Sequence, residues 1–461
     1  MAYDVAVVGA GFSAIAVTIN LLKQLPCDCS IAVIGDDPGF GRGTAYRSEF
    51  YIHRLNVPAG RMSVLPEEPN NFLEWLEKKG RSVSPELFAS RNDYGLYLRD
   101  TLAGLLRNRN GRARVDFIRR KATGCVTSDA DGWRFRIDGT ADLLARQVVL
   151  CLGVGAARLP VKDDMIDHAI RRRVIESPWR LSWLSRVGRD DSICLLGSGL
   201  TMIDQVLALR AQGHRGAIHV LSRRGLLPHP HDLRHGAPQK PELPETREIS
   251  QILAALRKQV RSGVAWRSVM DGLRPITQSL WQELTDAQKA RFLRHAMPWW
   301  NVHRHRIDPA LYERFIGLVE GGTLINHAGY VQAIDENRGR ACIHYRPRGE
   351  QSQRTIAADW VVNCTGMERA GIAHSPLLRE MRDNEIVSAN PLGLGIEVDT
   401  QSRVMNNRGE IQPGLFAVGA LTASRFWEIT AVPDIRVQAK AVADHIAADC
   451  AQDGTHIAQA L

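Results

Sequence analysis

The sequence predicts an α/β fold of two similar, doubly wound units that share a helical insertion. Three observations carry the prediction. Two glycine turns, Gly9-Ala10-Gly11 and Gly197-Ser198-Gly199, each stand between apolar, strand-like runs. Each is followed far downstream by another apolar run that closes on glycine, at 148–153 and 361–366, so the chain carries a weak internal repeat. Between about 226 and 320 the strand signal gives way to helical spacing, at 245–260, 286–296 and 309–319.

A chain of 461 residues with 44% hydrophobic content has enough apolar material for two to four domains, which excludes disordered, collagen-like and mini-protein classes. No apolar run approaches the ~18 residues of a spanning helix. The apolar start carries Asp4 and no basic segment before it, unlike a signal peptide. A cytoplasmic protein with no membrane contact is the expectation. The eight cysteines (27, 29, 125, 151, 194, 342, 364 and 450) include no CxxC pair, so no disulfide framework, zinc site or dithiol centre is expected. The histidine-rich stretch at 228–235 is interrupted by prolines and offers no paired cysteine or HExxH, and no metal is assigned to it.

The formal charge is +9, from 59 Lys+Arg against 50 Asp+Glu, and only nine of the basic residues are lysine. Arginine suits bidentate capture of phosphate or carboxylate, and a GC-rich genome gives the same bias. The charge is spread along the chain, where a nucleic-acid binder concentrates it, so no nucleic-acid partner is expected.

Element by element, residues 5–8 read as a strand, 9–14 as a tight turn, the stretch to about 25 as a helix and 31–34 as a second strand. Gly9 permits the turn, Gly11 lets the backbone approach a pyrophosphate, and Ala14, one past Ser13, allows close helix–strand packing. The amides at the helix start then face the anion. An acid about 20 residues on should hold a ribose hydroxyl; glycine occupies the strand end at 35, leaving Asp36 as the candidate. The second copy runs through a strand at 193–196, the turn Gly197-Ser198-Gly199-Leu200-Thr201-Met202, a helix to about 212 and a strand at 218–221. Met202 replaces the third small residue. No acid follows; Ser222-Arg223-Arg224 stands there instead, which suits a 2′-phosphate and points to NADPH. A strand at 415–420 leads through 427–432 to Pro433 and a final helix to about 448, with Asp434 in its first turn.

With these pieces in order, the chain resembles the two-dinucleotide-binding-domain flavoproteins, the group that holds disulfide reductases and flavin N- and S-monooxygenases. More narrowly it is similar to a family of FAD/NAD(P)-binding proteins. The narrower likeness rests on segments 41–46, 55–62, 91–97, 299–306 and 427–434, spread over nearly the whole chain. The resemblance implies a glutathione-reductase-like fold with FAD at the first turn and NAD(P)H at the second. It implies an FAD unit of 1–158 and 356–461, an NAD(P)H unit of 190–228 and 320–355, and a helical insertion, 229–319, lining a substrate cleft. Carried over by position, Gly9, Gly11 and Ala14 hold the FAD pyrophosphate, while Arg42 and the 56–62 segment, with Asn56 and Met62, lie near the flavin. Thr365-Gly366 matches a threonine-glycine strand end, and Gly419 and the Thr430-Ala431-Val432 turn approach the ribityl chain and pyrimidine edge. Ala420 stands where many relatives carry an aspartate. Gly197, Gly199, Leu200, Thr201, Ser222, Arg223 and Arg224 make the NADPH site.

Trp299-Trp300-Asn301-Val302-His303-Arg304-His305-Arg306 admits two readings: a helix end with core tryptophans and solvated basic residues, or a group that turns Arg304, Arg306 and His303 toward the flavin–nicotinamide cleft. His303, Arg304 and Asn56 are the candidate catalytic residues. The only close cysteine pair, Cys27 and Cys29, lies on the adenine side of the first turn, which disfavours a dithiol reductase. Residues 153–183 lack the Baeyer–Villiger fingerprint. What remains is an FAD-dependent, NADPH-using oxidoreductase that hydroxylates a small amine- or sulfur-containing substrate with O2 through a peroxyflavin. The alternatives are a dehydrogenase or oxidase without oxygen transfer, and a non-enzymatic FAD/NADPH redox sensor.

Overall fold

A computed structural model describes residues 2–460 apart from 38–39, 48–50, 109–110, 129–131, 154, 156–157, 233–235, 367–371 and 373. Arg234 and its two neighbours in the histidine-rich stretch therefore lie outside the described residues.

The chain opens with strand β1 (Ala2–Val8), the helix Phe12–Gln24 and strand β2 (Ser30–Ile34), then β3 (Arg114–Ile118), β4 (Ala122–Ser128), β5 (Gly132–Ile137) and β6 (Leu143–Leu150). The second unit supplies β7 (Val174–Ile175), β8 (Ile193–Leu196), β9 (Ile218–Ser222), β10 (Leu324–Asn337), β11 (Arg340–Pro347), β12 (Arg354–Ala358) and β13 (Trp360–Asn363). The chain then returns to the first unit with β14 (Arg403–Met405), β15 (Ile411–Ala417) and the helix Val432–Ala460, longer than the sequence suggests.

The first sheet runs β14-β15-β6-β1-β2-β3, with the β4–β5 hairpin joined to the start of β6. The second runs β12-β11-β10-β9-β8-β13-β7. In both, the strand before the glycine turn lies between two parallel partners, β1 between β2 and β6, and β8 between β9 and β13. Strands with helices on at least one face and sheet on the other are apolar on both, and the alternation is explicit. Val5, Val7, Ile31 and Val33 face the helices 12–24 and 432–460, while Ala6, Val8, Ala32 and Ile34 face the layer with the β4–β5 hairpin. In the second sheet Ile193, Leu195 and Val220 pack beneath the helix Leu200–Ala211, with Met202 fully buried among them.

The region 229–319 is helical as expected, with further helices at Trp266–Leu273, Thr277–Glu283 and Met297–Arg304 that periodicity did not single out. Its last helix, Pro309–Glu320, puts Leu311 and Phe315 in the core under β8–β10, so it is the crossover from β9 to β10 and lies with the second sheet. The rest docks on the first unit through Trp281, whose ring stacks on Trp427 at 4.4 Å between centroids and whose indole N–H donates to the Ser424 carbonyl. A buried ion pair ties the two units: Arg91 Nη2 lies 2.9 Å from Asp204 Oδ2, and His53 Nε2 bonds the Asp204 carbonyl. No helix among the described residues is long and apolar enough to cross a membrane.

His231 adds a pH response. Burial lowers its pKa from 6.5 to about 4, although its ring bonds the Asn56 carbonyl at 3.0 Å. Unfolding frees the imidazole to bind a proton, so stability is full above pH 6.5 and falls as the pH drops toward 4, by at most about 3 kcal/mol. Denaturant midpoints measured between pH 7 and 4 should show this loss, and a His231→Gln variant should lose less over the same interval.

Candidate functional site

The two glycine turns repeat one geometry. Gly9 (φ +143°) and Gly197 (φ +109°) pack on the carbonyls of Cys151 and Cys364, at the ends of β6 and β13, so closely that a Cβ would collide with either oxygen. Gly11 and Gly199, two residues later in the same turns, have extended backbones and begin their helices with no side-chain cap; a Cβ there meets nothing within 4 Å. Each turn thus leaves uncapped helix N–H groups facing open space, which is the environment a pyrophosphate needs. Ser13 joins this first cradle from the other side, because Gly419 (φ +85°) is pressed against its hydroxyl. Two buried polar atoms of the first unit are left unpartnered. The Tyr94 hydroxyl and Arg436 Nε have no hydrogen-bond partner, and the Tyr94 ring is 6.2 Å from that of Phe12 in the turn.

A cleft of about 820 Å³ opens from the second turn. Gly197–Thr201 and Ser222–Arg224 form its floor, Leu293, Met297, Asn301 and His305 its roof, and Ala420, Ala423, Trp427, Glu428 and Thr430 of the first unit its far end. The roof residues recur every four positions on one helical face. A π-helical turn, Phe292–Ala296, holds the first of them and precedes the rest, where Pro298 cannot donate the regular backbone bond. At the far end Glu428 holds a left-handed backbone (φ +64°), unfavourable for a residue with a Cβ. It is fixed by Trp300 Nε1 (2.7 Å) and Arg304 Nε (2.9 Å), with His305 Nε2 at 3.6 Å. Burial pulls the pKa of His305 down, against the pull of the Glu428 carboxylate.

This geometry corrects several expectations. Arg304 does not reach into the cleft as a ligand; it is spent on Glu428 behind the wall. His303 turns the other way, bonded to the Trp299 carbonyl and packed against His229 and Trp266, because it lies off the 297–301–305 face. Arg306 is buried and paired with Asp271. Trp299 is no core residue but half exposed. Thr365 and Gly366 follow β13, so they sit against Gly197 at the second turn and not at the first. Asp36 is exposed and 3.3 Å from Lys121. The glycine before it is required, since a Cβ at Gly35 would press on Ala10 and Gly9. Asn56 gives its carbonyl to His231, and Met62 is buried in the core with Val432. The Arg42 stem lies along Gly95, over the same side of the unit as Tyr46. Ser222 stays in its turn, 2.9 Å from the Ser198 hydroxyl, which donates to the Leu226 carbonyl, while Arg223 and Arg224 line the cleft. The cleft-lining residues that sequence reasoning missed are Asn301, His305 and Glu428; the four-residue spacing 293–297–301–305 was the available signal for the first two, and no local spacing marked Glu428.

Residues 6–155 match a family model described as FAD-NAD(P)-binding. That match covers the end of β1, the first turn, Asp36, Arg42 and the strands β2 to β6. Among solved structures, the chain is similar to ornithine hydroxylase from Pseudomonas aeruginosa in its reduced form, with TM-score 0.66 and 16% identity over 97% of this chain and 99% of that one. It is similar to the ornithine N-hydroxylase of Kutzneria sp. 744, with TM-score 0.65 and 14% identity over 97% and 99%. Bacillithiol disulfide reductase from Bacillus cereus shares the fold at TM-score 0.56, with 14% identity over 97% and 100%. At these identities the likeness fixes the two-unit flavoprotein fold. No curated protein matches the chain in sequence.

Proposed function

We propose that this protein is an FAD-dependent, NADPH-using monooxygenase that transfers an oxygen atom from O2 to the nitrogen of a small amine. One observation carries the reading: a single cleft joins the second glycine turn and its arginines to the Ala420–Thr430 edge of the first unit, under a roof that carries Leu293 and Met297 beside Asn301 and His305. FAD, when bound, accepts a hydride from NADPH and activates oxygen. The chain's own part is to bind, orient and keep water out. Gly9, Gly11 and Ser13 cradle one pyrophosphate, Gly199, Leu200 and Thr201 the other, and Arg223 and Arg224 hold the 2′-phosphate. Leu293, Met297, Leu394 and Trp427 supply the dry wall. In this assignment 1–150 and 376–461 form the flavin unit and 159–228 with 309–366 the NADPH unit, since β7 and β13 both lie in the second sheet and move the boundaries expected at 190 and 356, while the helices up to 304 cover the substrate.

The neighbour from Kutzneria is described with reduced FAD, NADP+ and L-ornithine, which supports the amine reading. The disulfide reductase neighbour points elsewhere, but Cys364 is the only cysteine among the described residues that line the cleft, and it is almost fully buried. A dithiol relay needs two.

The test is the purified protein: yellow with an oxidised-flavin spectrum, bleached faster by NADPH than by NADH, and forming an N-hydroxylated product from a panel of primary amines. NADPH consumption that yields only hydrogen peroxide across the panel makes it an oxidase instead, and reduction that stops after one turnover makes it a sensor. Arg223→Ala/Arg224→Ala should lower the preference for NADPH over NADH by roughly 10- to 100-fold, the loss expected for removing charge-assisted hydrogen bonds. Stopped-flow flavin reduction with each nucleotide measures it.

A further inference from the structure

The cleft continues past Arg223 and Arg224 onto β10, where Gly329, Tyr330 and Val331 line it. Tyr330 is out of place on stability grounds, since its side chain lies on a sheet yet the residue keeps 39% of its surface exposed. Its neighbours explain where it points. β9 and β10 are parallel, with Ser222 opposite Ala328. The arginine turn rests on one face of β10: Asn326 Nδ2 donates to the Gly225 carbonyl at 2.7 Å, and a Cβ on Gly225 would touch Ala328 Cβ. Residues 326, 328 and 330 alternate onto that same face, so Tyr330 comes next after the two that hold the turn, about 7 Å beyond Ala328 along the strand. Arg346, paired with Tyr330 across β10 and β11, places its guanidinium carbon 5.1 Å from the ring centre.

We propose that Tyr330, backed by Arg346, is the stacking platform for the adenine ring of the dinucleotide whose 2′-phosphate lies on Arg223 and Arg224. The inference rests on the NADPH reading above and extends it to the base. An adenine ring and the 2′-phosphate of its ribose are separated by a distance of the same order as the step from the arginine turn to Tyr330. A flat heteroaromatic base gains most from a partly exposed ring stiffened by a cation on one side. Pro160, from the segment linking the units, lines the same cleft and adds apolar surface.

Isothermal titration of the purified protein with 2′,5′-ADP and with 5′-AMP tests this without turnover. Tyr330→Ala should weaken both ligands by about 10-fold or more, in keeping with base–aromatic stacking, and Tyr330→Phe should restore most of the affinity. Arg223→Ala/Arg224→Ala should weaken 2′,5′-ADP while leaving 5′-AMP nearly unchanged. If Tyr330→Ala binds both ligands like the wild type while the arginine variant loses 2′,5′-ADP, the stacking assignment falls and the NADPH reading stands. A wild-type protein that binds neither ligand removes both.

Discussion

Gly11→Ala is expected to give a folded but colourless protein, and Gly9→Ala one that is both colourless and much less stable. The two glycines stand two residues apart in one turn and differ in what surrounds them. At Gly9 a Cβ would meet the Cys151 carbonyl on a backbone at φ +143°. A left-handed conformation costs about 1–2 kcal/mol for a residue with a Cβ, and overpacking adds about 1–3. Together that is a large share of the roughly 5–15 kcal/mol by which a domain is stable. At Gly11 the backbone is extended and a Cβ meets nothing within 4 Å, so alanine costs the fold little. It occupies the space where a pyrophosphate approaches the helix N–H groups. Flavin absorbance per protein and thermal midpoints separate the two effects. A Gly11→Ala protein as yellow as the wild type would move the flavin cradle elsewhere.

The second large effect is expected at the joint between the units. Arg91 and Asp204 retain 14% and 6% of their side-chain exposure, and Arg91 also donates from Nε to the Arg54 carbonyl. Asp204→Ala leaves the guanidinium buried without its counter-charge, which should cost about 3–5 kcal/mol. Replacing both, as Arg91→Met/Asp204→Leu, should cost far less, because no charge is then stranded. Urea unfolding of the single and double variants measures the difference. A single variant as stable as the wild type would mean that water or rearrangement reaches the site. Asp204 lies on the helix that begins at Gly199, so the double variant should also slow hydride transfer from NADPH more than it weakens NADPH binding, if the pair sets the approach of the two cofactors.

The turns and central strands were legible because their constraint is local. A β-branched run, a glycine that must adopt positive φ and a helix start recur at fixed short spacing, and at residues 5–34 and 193–222 the structure keeps all three. The β4–β5 hairpin and the β10–β12 meander were not legible. β10 changes from a parallel partner to an antiparallel one along its length, with a register shift between Val331 and Ala333, so its apolar residues never alternate cleanly. The cluster at 299–306 shows the same limit at the site. Its composition announced cationic and aromatic groups near a cofactor, but which of them face the cleft depends on helical phase, and the π turn before Met297 shifts that phase.

By itself the sequence determined that this protein has two glycine-turn units of one architecture and that the second carries arginines after its second strand. Both follow from contacts between residues close in the chain. Only the tertiary structure decided that Arg304 serves Glu428, that Arg306 and Asp271 neutralise each other inside the fold, and that Asn301, His305 and Tyr330 line the cleft. A charge acquires its role from a partner distant in the chain, as Arg304 does from Glu428, Arg91 from Asp204 and Arg306 from Asp271, and no local spacing records which partner takes it.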